Sequence, residues 1–272
     1  MMEIDNVTRR RLVYVKRLHM HAQEHILHGT EFDRMIAVHH FDNAIELLLK
    51  CVANEYEISL GDPLRLTFYD LWSKVSKEYK QRLSSELPKK TEIFQLHRIR
   101  SDVQHWGTSP FSLEFIEDLN EYTQDLIPTI LTSVFGLEYN ELFLSSLVKD
   151  ARIRTLLTDA ERYFTNEKWK EAIAKVSVAF ALAKVKALRK RHLIPTVPMM
   201  RTGLEVTDER VDILALGLDF EKYRKFMENT PAVLFPLREE PVIQWIGKLN
   251  YTRENTLFCF NFVLDSILRW RL

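Results

Sequence analysis

One short segment gathers residue types able to move protons and hold an anion: Leu96-His97-Arg98-Ile99-Arg100-Ser101-Asp102-Val103-Gln104-His105-Trp106-Gly107. An imidazole titrates near neutrality and can serve as general acid or base. A guanidinium is always charged and offers a fixed fork of donors to phosphoryl oxygens. Arg100 and His105 are two such groups five residues apart, the one able to hold phosphate charge and the other to transfer a proton. Ser101, His97, Arg98 and Gln104 are the candidate substrate-binding residues beside them.

Helix geometry predicts how the segment is arranged. At about 100° per residue, with Leu96 at zero, Ile93, Leu96, Ile99, Val103 and Trp106 share one apolar arc. Arg100 then lies at about 40°, Gln104 at about 80°, His97 at about 100°, Ser101 at about 140° and His105 at about 180°. Arg100 and His105 do not touch side by side. Arg100 sits at the margin of the apolar arc, where its stem can pack while its head reaches out. His105 closes a polar face shared with Gln104, His97 and Ser101, a face able to line a cleft. Arg98 falls on nearly the same face as His105. The plainer reading of the same pattern is an amphipathic helix with ordinary surface residues.

The elements that must position this segment are helices. Apolar residues recur at helical spacing along most of the chain. Helices are predicted at 7–28 and at 31–57, the second with a stripe of Ile36, Ala44, Ile45, Leu48, Leu49 and Val52. Gly61-Asp62-Pro63 breaks the chain before a third helix at 68–84. Pro88 can open the helix that carries the site, and Gly107 suits a left-handed cap at its end. A fifth helix runs from an N-cap at Ser112 to Phe135, with Pro128 as a kink or break. Beyond Gly136 the pattern predicts a short helix at 140–150 and a helical hairpin of 151–165 and 167–192. The second arm carries the stripe Trp169, Ala172, Ile173, Val176, Ala179, Phe180 and Ala183. A loop at 193–207, a helix at 208–229, a stretch punctuated by Pro231, Pro236 and Pro241, and a last helix from Thr252 to Trp270 complete the reading. The fold class is all-α, in two domains at 1–138 and 139–272. No period of 20–50 residues marks a solenoid.

The segment resembles the signature of the HEPN family, helical and mostly RNA-cleaving domains: an Arg, a polar residue, and a His a short span later. Arg100-x4-His105 fits the short form, with Ser101 as the polar residue, and the resemblance makes Arg100 and His105 the candidate catalytic pair, Arg100 for phosphate charge and His105 for proton transfer. The stretch Asp42-Asn43-Ala44-Ile45-Glu46-Leu47-Leu48-Leu49-Lys50 looks like the family's earlier core helix, and Leu87-Pro88 to Gly107 like the helix that carries the motif. The resemblance covers roughly residues 7–135. It implies a four- or five-helix bundle followed by a second helical domain, which is either a degenerate copy of the first or an interaction module. It implies a metal-independent endoribonuclease, needing no cofactor, that cleaves RNA by attack of the 2′-OH on the adjacent phosphate. The products would be a 2′,3′-cyclic phosphate and a 5′-OH. It further implies a cleft shared between two such faces, across a homodimer or between two domains, with a toxin–antitoxin or antiviral setting and an antitoxin or regulatory protein as partner. The competing reading is a non-catalytic helical module that binds a protein or a nucleotide.

Other clusters carry weaker signals. His21 and His25 have the i,i+4 spacing that can chelate zinc, but read first as part of a solvated face with His19 and His28. His39 and His40 point about 100° apart, and His39 or Asp42 can reach the cleft from the second helix. Glu46 and Lys50 form an i,i+4 pair of favourable orientation. Trp72, Trp106, Trp169, Trp245 and Trp270 read as core or interface fillers.

Composition limits the function classes. Of 272 residues, 46% are hydrophobic and 28% charged, and only 7 are Gly, which favours long helices over turn-rich sheets. Lys+Arg and Asp+Glu are both 38, so no net positive charge drives broad polyanion binding. Two basic clusters, Arg9-Arg10-Arg11 with Lys16 and Arg17, and Lys184, Lys186, Arg189, Lys190 and Arg191, read as solvated helix faces. Cys51 and Cys259 sit in apolar helical patterns and read as buried free thiols of a reducing compartment. No glycine-rich phosphate loop, GxSxG, CxxC or HExxH occurs, which removes the common nucleotide, hydrolase and zinc motifs. No signal peptide and no run of about 18 apolar residues is visible, so a cytoplasmic location without membrane contact is expected.

Overall fold

The computed structural model describes residues 4–62, 65–107, 112–191, 209–235, 241–245 and 249–272, without the side chains of 209–212. The loop expected at 193–207 lies outside the described residues, as do Pro63, Pro110 and Pro236. The described chain is all-α apart from one small hairpin, and it divides into two compact units, Met1–Leu144 and Ser145–Leu272.

The first unit is built on α2 (Glu31–Glu55), which packs against α1 (Asn6–His28), α3 (Phe68–Leu83), α4 (Lys90–Trp106) and α5 (Leu113–Phe135). Only Gly29 and Thr30 separate α1 from α2, so the two run antiparallel as a hairpin. Gly29 takes φ 72°, a left-handed turn that favours glycine, and Thr30 caps α2 by accepting from Asp33 N–H. Phe41, Ile45, Leu48, Leu49, Cys51 and Val52 of α2 are fully buried. A helix apolar on several sides must sit at the centre of its bundle, and this one does. A capping box between Thr67 and Asp70 starts α3. α5 runs unbroken through Pro128, which does not end it.

The predicted helix at 140–150 is replaced by two 3-10 turns, Tyr139–Glu141 and Leu144–Leu147. The local backbone groups are committed elsewhere. Ser145 N–H donates to the Glu161 carboxylate, and Lys149 N–H donates to the Leu272 carbonyl.

The second unit centres on α7 (Trp169–Lys190), paired with α6 (Ala151–Thr165) as the predicted hairpin and covered by α10 (Arg253–Trp270). Phe180 of α7 gathers Tyr223, Phe226, Phe262 and Trp270 around it, with ring centroids 4.8–6.1 Å away. The predicted helix at 208–229 is two: α8 (Glu209–Leu216) and α9 (Phe220–Asn229). Gly217 takes φ 64° and ends α8, and Asp219 then caps α9 by accepting from Lys222 N–H. The proline-punctuated stretch holds an antiparallel pair, β1 (Ala232–Leu234) and β2 (Val242–Gln244), in register Val233 to Ile243. Three-residue strands are too short for alternation to announce them.

Candidate functional site

The segment predicted to carry chemistry is α4, and its apolar arc is seated on the bundle. Ile93, Leu96, Ile99 and Val103 are buried. Trp106, predicted in the same arc, is 78% exposed. It lies at the edge of that arc and is the last helical residue before Gly107, which takes φ 60° and turns the chain away.

The centre of the arrangement is a carboxylate on the neighbouring helix. Asp42 of α2 is fully buried, an expensive position for a charge unless it is paired. Its partners come from α4. His97 Nδ1 donates to Asp42 Oδ1 at 3.0 Å, and Arg100 Nε stands 3.4 Å from Oδ2. The Arg100 contact is an ion pair without hydrogen-bond geometry at Nε. The contact is made through Nε, and the Arg100 side chain stays a quarter exposed.

His97 is held from its other side by aromatic rings. It stacks on Phe68 with centroids 4.2 Å apart and planes at 13°, and Tyr69 meets it edge-on at 5.5 Å. Phe94 and Trp72 extend this group. An imidazole bonded at Nδ1 and stacked on its face is fixed in tautomer and orientation. That makes His97 a positioning residue for Asp42 and Arg100.

His39, one turn before Asp42 on α2, also belongs here. Burial lowers its pKa below the ordinary value and the Arg100 charge lowers it further, while Asp42 opposes both. Both causes favour the neutral ring of His39.

The remaining predicted residues stand apart from this core. His105 is exposed in the last turn of α4, and Gln104 and Arg98 are exposed as well. Ser101 is half-buried. Among the described residues His105 makes no hydrogen bond or ion pair. Arg100 and His105 are five residues apart in α4, which sets them about 140° apart around its axis.

The sequence singles out Asp42 only as a residue able to reach the cleft, and Phe68 and Tyr69 not at all. Asp42 had a legible signal: it falls three and seven positions before Ile45 and Leu49, on the apolar stripe of its helix, where a lone carboxylate requires a partner. Phe68 and Tyr69 had none, because their proximity to His97 depends on how α3 crosses α4.

A cleft of about 570 Å³ lies next to the stacked pair, lined by Arg11, Glu46, Lys50, Asn54, Thr67 and Phe68 among others. Lys50 Nζ donates to Glu46 at 2.5 Å on its wall, the predicted i,i+4 pair. Of the first basic cluster, Lys16 departs from the solvated-face reading. It is 8% exposed, donates to the Leu142 carbonyl at 2.8 Å and sits over the Tyr139 ring. No helix among the described residues is long and apolar enough to cross a membrane.

Fold and site together define a class: an all-α protein of two helical units whose first unit ties an Arg/His helix to a buried aspartate. No protein-family model, curated protein or solved structure matches the chain.

Proposed function

We propose that the first unit is a HEPN-type domain and that the protein is a metal-independent endoribonuclease whose site is completed by a second copy of the chain. One observation carries this reading. The two stretches that resemble the family, 42–50 and 87–107, are the ones tied together through Asp42, His97 and Arg100. Arg100 is paired through its Nε and a quarter exposed, and its guanidinium stabilises the charge that develops on the phosphoryl oxygens during attack by the 2′-OH. His105 transfers the proton, as base to the 2′-OH or acid to the leaving 5′-oxygen. Because Arg100 and His105 diverge on one helix, the site requires His105 from a facing α4, and the exposed Trp106 is a fitting contact for that partner. A toxin or antiviral nuclease restrained by a regulatory protein is the setting that the resemblance implies.

The test is RNA cleavage in EDTA by wild type and His105→Ala, with the ends of the products analysed. Wild type gives 2′,3′-cyclic phosphate and 5′-OH ends, and His105→Ala loses at least a hundredfold in rate. Equal cleavage by both proteins ends the assignment.

A second reading is favoured by the same ion pair. Asp42, His97 and Arg100 also serve simply to lock α2 to α4 in a helical module that binds a protein partner or a nucleotide. It predicts no cleavage, and RNA-independent behaviour of Arg100→Lys.

A further inference from the structure

The opposite flank of the α1–α2 hairpin carries a cluster the nuclease reading does not use. His21 and His25 lie one turn apart on α1, and His40 meets them from α2. One ring nitrogen from each falls within 4.8 Å of the others. His21 Nδ1 and His40 Nε2 face each other at 3.1 Å. The His21 ring is edge-on to both neighbours, with centroids 4.7 Å from His25 and 4.6 Å from His40.

We propose that His21, His25 and His40 form a binding site for a zinc-class divalent cation that staples α1 to α2.

Four arguments support it. A Zn–N bond of about 2.0–2.1 Å in a tetrahedron sets adjacent nitrogens about 3.3 Å apart, close to the His21–His40 separation. The i,i+4 spacing on α1 puts two imidazoles on one helix face, and the third arrives from the facing helix, so the chelate closes across the hairpin. His25 has the outer partner that metal-binding histidines use: its Nδ1 donates to Asp33 Oδ1 at 2.7 Å, which fixes the tautomer and leaves the Nε2 lone pair as ligand. Asp33 is itself held: its carboxylate accepts from Thr30 Oγ1, and its N–H donates to Thr30 Oγ1 at the N-cap of α2. A neutral hydrogen bond accounts for the His21–His40 pair but gives no reason for a third imidazole against both.

Three imidazoles and no thiolate suit Zn²⁺, Ni²⁺ or Cu²⁺ rather than Mg²⁺ or Ca²⁺, which prefer oxygen. Water takes the fourth position. His28, 3.7 Å from Asp33, belongs instead to an overlapping group with His25 and Asp33 and is not a ligand of the proposed site. The site is separate from the Arg100 side: along α2, Asp42 turns to Arg100, whereas His40 turns to α1.

Tag-free protein, stripped with EDTA and dialysed, is titrated with Zn²⁺ by calorimetry and with Co²⁺ by visible absorption. One equivalent binds per chain, Co²⁺ gives the intense spectrum of a tetrahedral site, and Zn²⁺ raises the thermal midpoint reversibly. His21→Ala changes an exposed side chain, so folding survives, and it abolishes the Co²⁺ band. Asp33→Asn weakens binding ten- to a hundredfold while the stoichiometry remains. His28→Gln binds as wild type. Full binding by His21→Ala, or loss with His28→Gln alone, overturns the assignment. So does wild-type protein that takes up no cation. RNA cleavage in EDTA is untouched by any of these results.

Discussion

His97 of α4 donates to Asp42 of α2 at 3.0 Å, joining a stacked imidazole to a carboxylate with no solvent exposure. The bond sets the ladder of dependence in the first unit: rings hold the imidazole, the imidazole orients the carboxylate, and the carboxylate positions Arg100. Removing the middle member leaves two cationic or polar groups facing a buried gap. Asp42→Ala is expected to lower stability by about 3–5 kcal/mol, the cost of breaking a buried pair from one side. Arg100→Met is expected to cost less, because His97 still donates to Asp42 Oδ1 and the guanidinium, a quarter exposed, is in part screened by solvent. Urea midpoints of the two variants check the order; equal midpoints contradict it.

The His97–Asp42 link also predicts a coupling. His97→Phe keeps the stack on Phe68 but leaves Asp42 Oδ1 without its donor. Combined with Asp42→Asn in a double-mutant cycle, it gives an interaction energy of about 1–3 kcal/mol, typical of neighbours in one network. Additive single effects show that the two side chains act independently.

Much of this was legible along the chain, for physical reasons. The bounds of α4 follow from Pro88 before it and Gly107 after it, and the edge position of Arg100 follows from helical period alone. Periodicity fixes angles around one helix and says nothing of its neighbours. His21 and His25 announce a chelating spacing, but His40 joins them only because Gly29 reverses the chain so that α2 lies against α1. The position of Trp106 misled for a related reason. An angle places a residue on a face, while exposure in a last turn depends on whether another element extends that far. The strands at 232–234 and 242–244 and the break at Gly217 fall where local patterns are shortest and a single residue decides the outcome.

His19 predicts how acid acts on the first unit. It is 3% exposed and burial pushes its pKa down to about 4. Thr123 Oγ1 donates to the Asn120 carbonyl, so His19 Nε2–H donates to Thr123 Oγ1 at 3.2 Å and Nδ1 accepts from Tyr139 O–H at 2.9 Å. The folded state therefore holds the neutral ring, while the unfolded chain titrates near 6.5. Stability is full above pH 6.5 and declines as pH falls from there to about 4, where the unfolded state binds the extra proton. The loss reaches about 3 kcal/mol over that window. Urea unfolding in EDTA at pH 7 and pH 4.5 measures it. His19→Gln, which cannot gain that proton, flattens the dependence; an unchanged slope in that variant removes His19 as its source.

The two thiols predict reactivity in opposite units. Cys51 on α2 and Cys259 on α10 are both fully buried and unpaired, and burial raises each pKa to about 12. The thiolate is the nucleophile, so at pH 8 the native protein holds almost none of it and presents neither sulfur to reagent. Native protein is expected to resist alkylation for hours, and unfolded protein to label at both sites. Because Cys51 sits in the first unit and Cys259 in the second, peptide-resolved labelling at rising urea reads the opening of each unit by itself. Zn²⁺ bound across the α1–α2 hairpin slows labelling of Cys51 and leaves Cys259 at its metal-free rate. Rapid labelling of Cys51 in native protein contradicts the packing of α2 at the centre of its bundle.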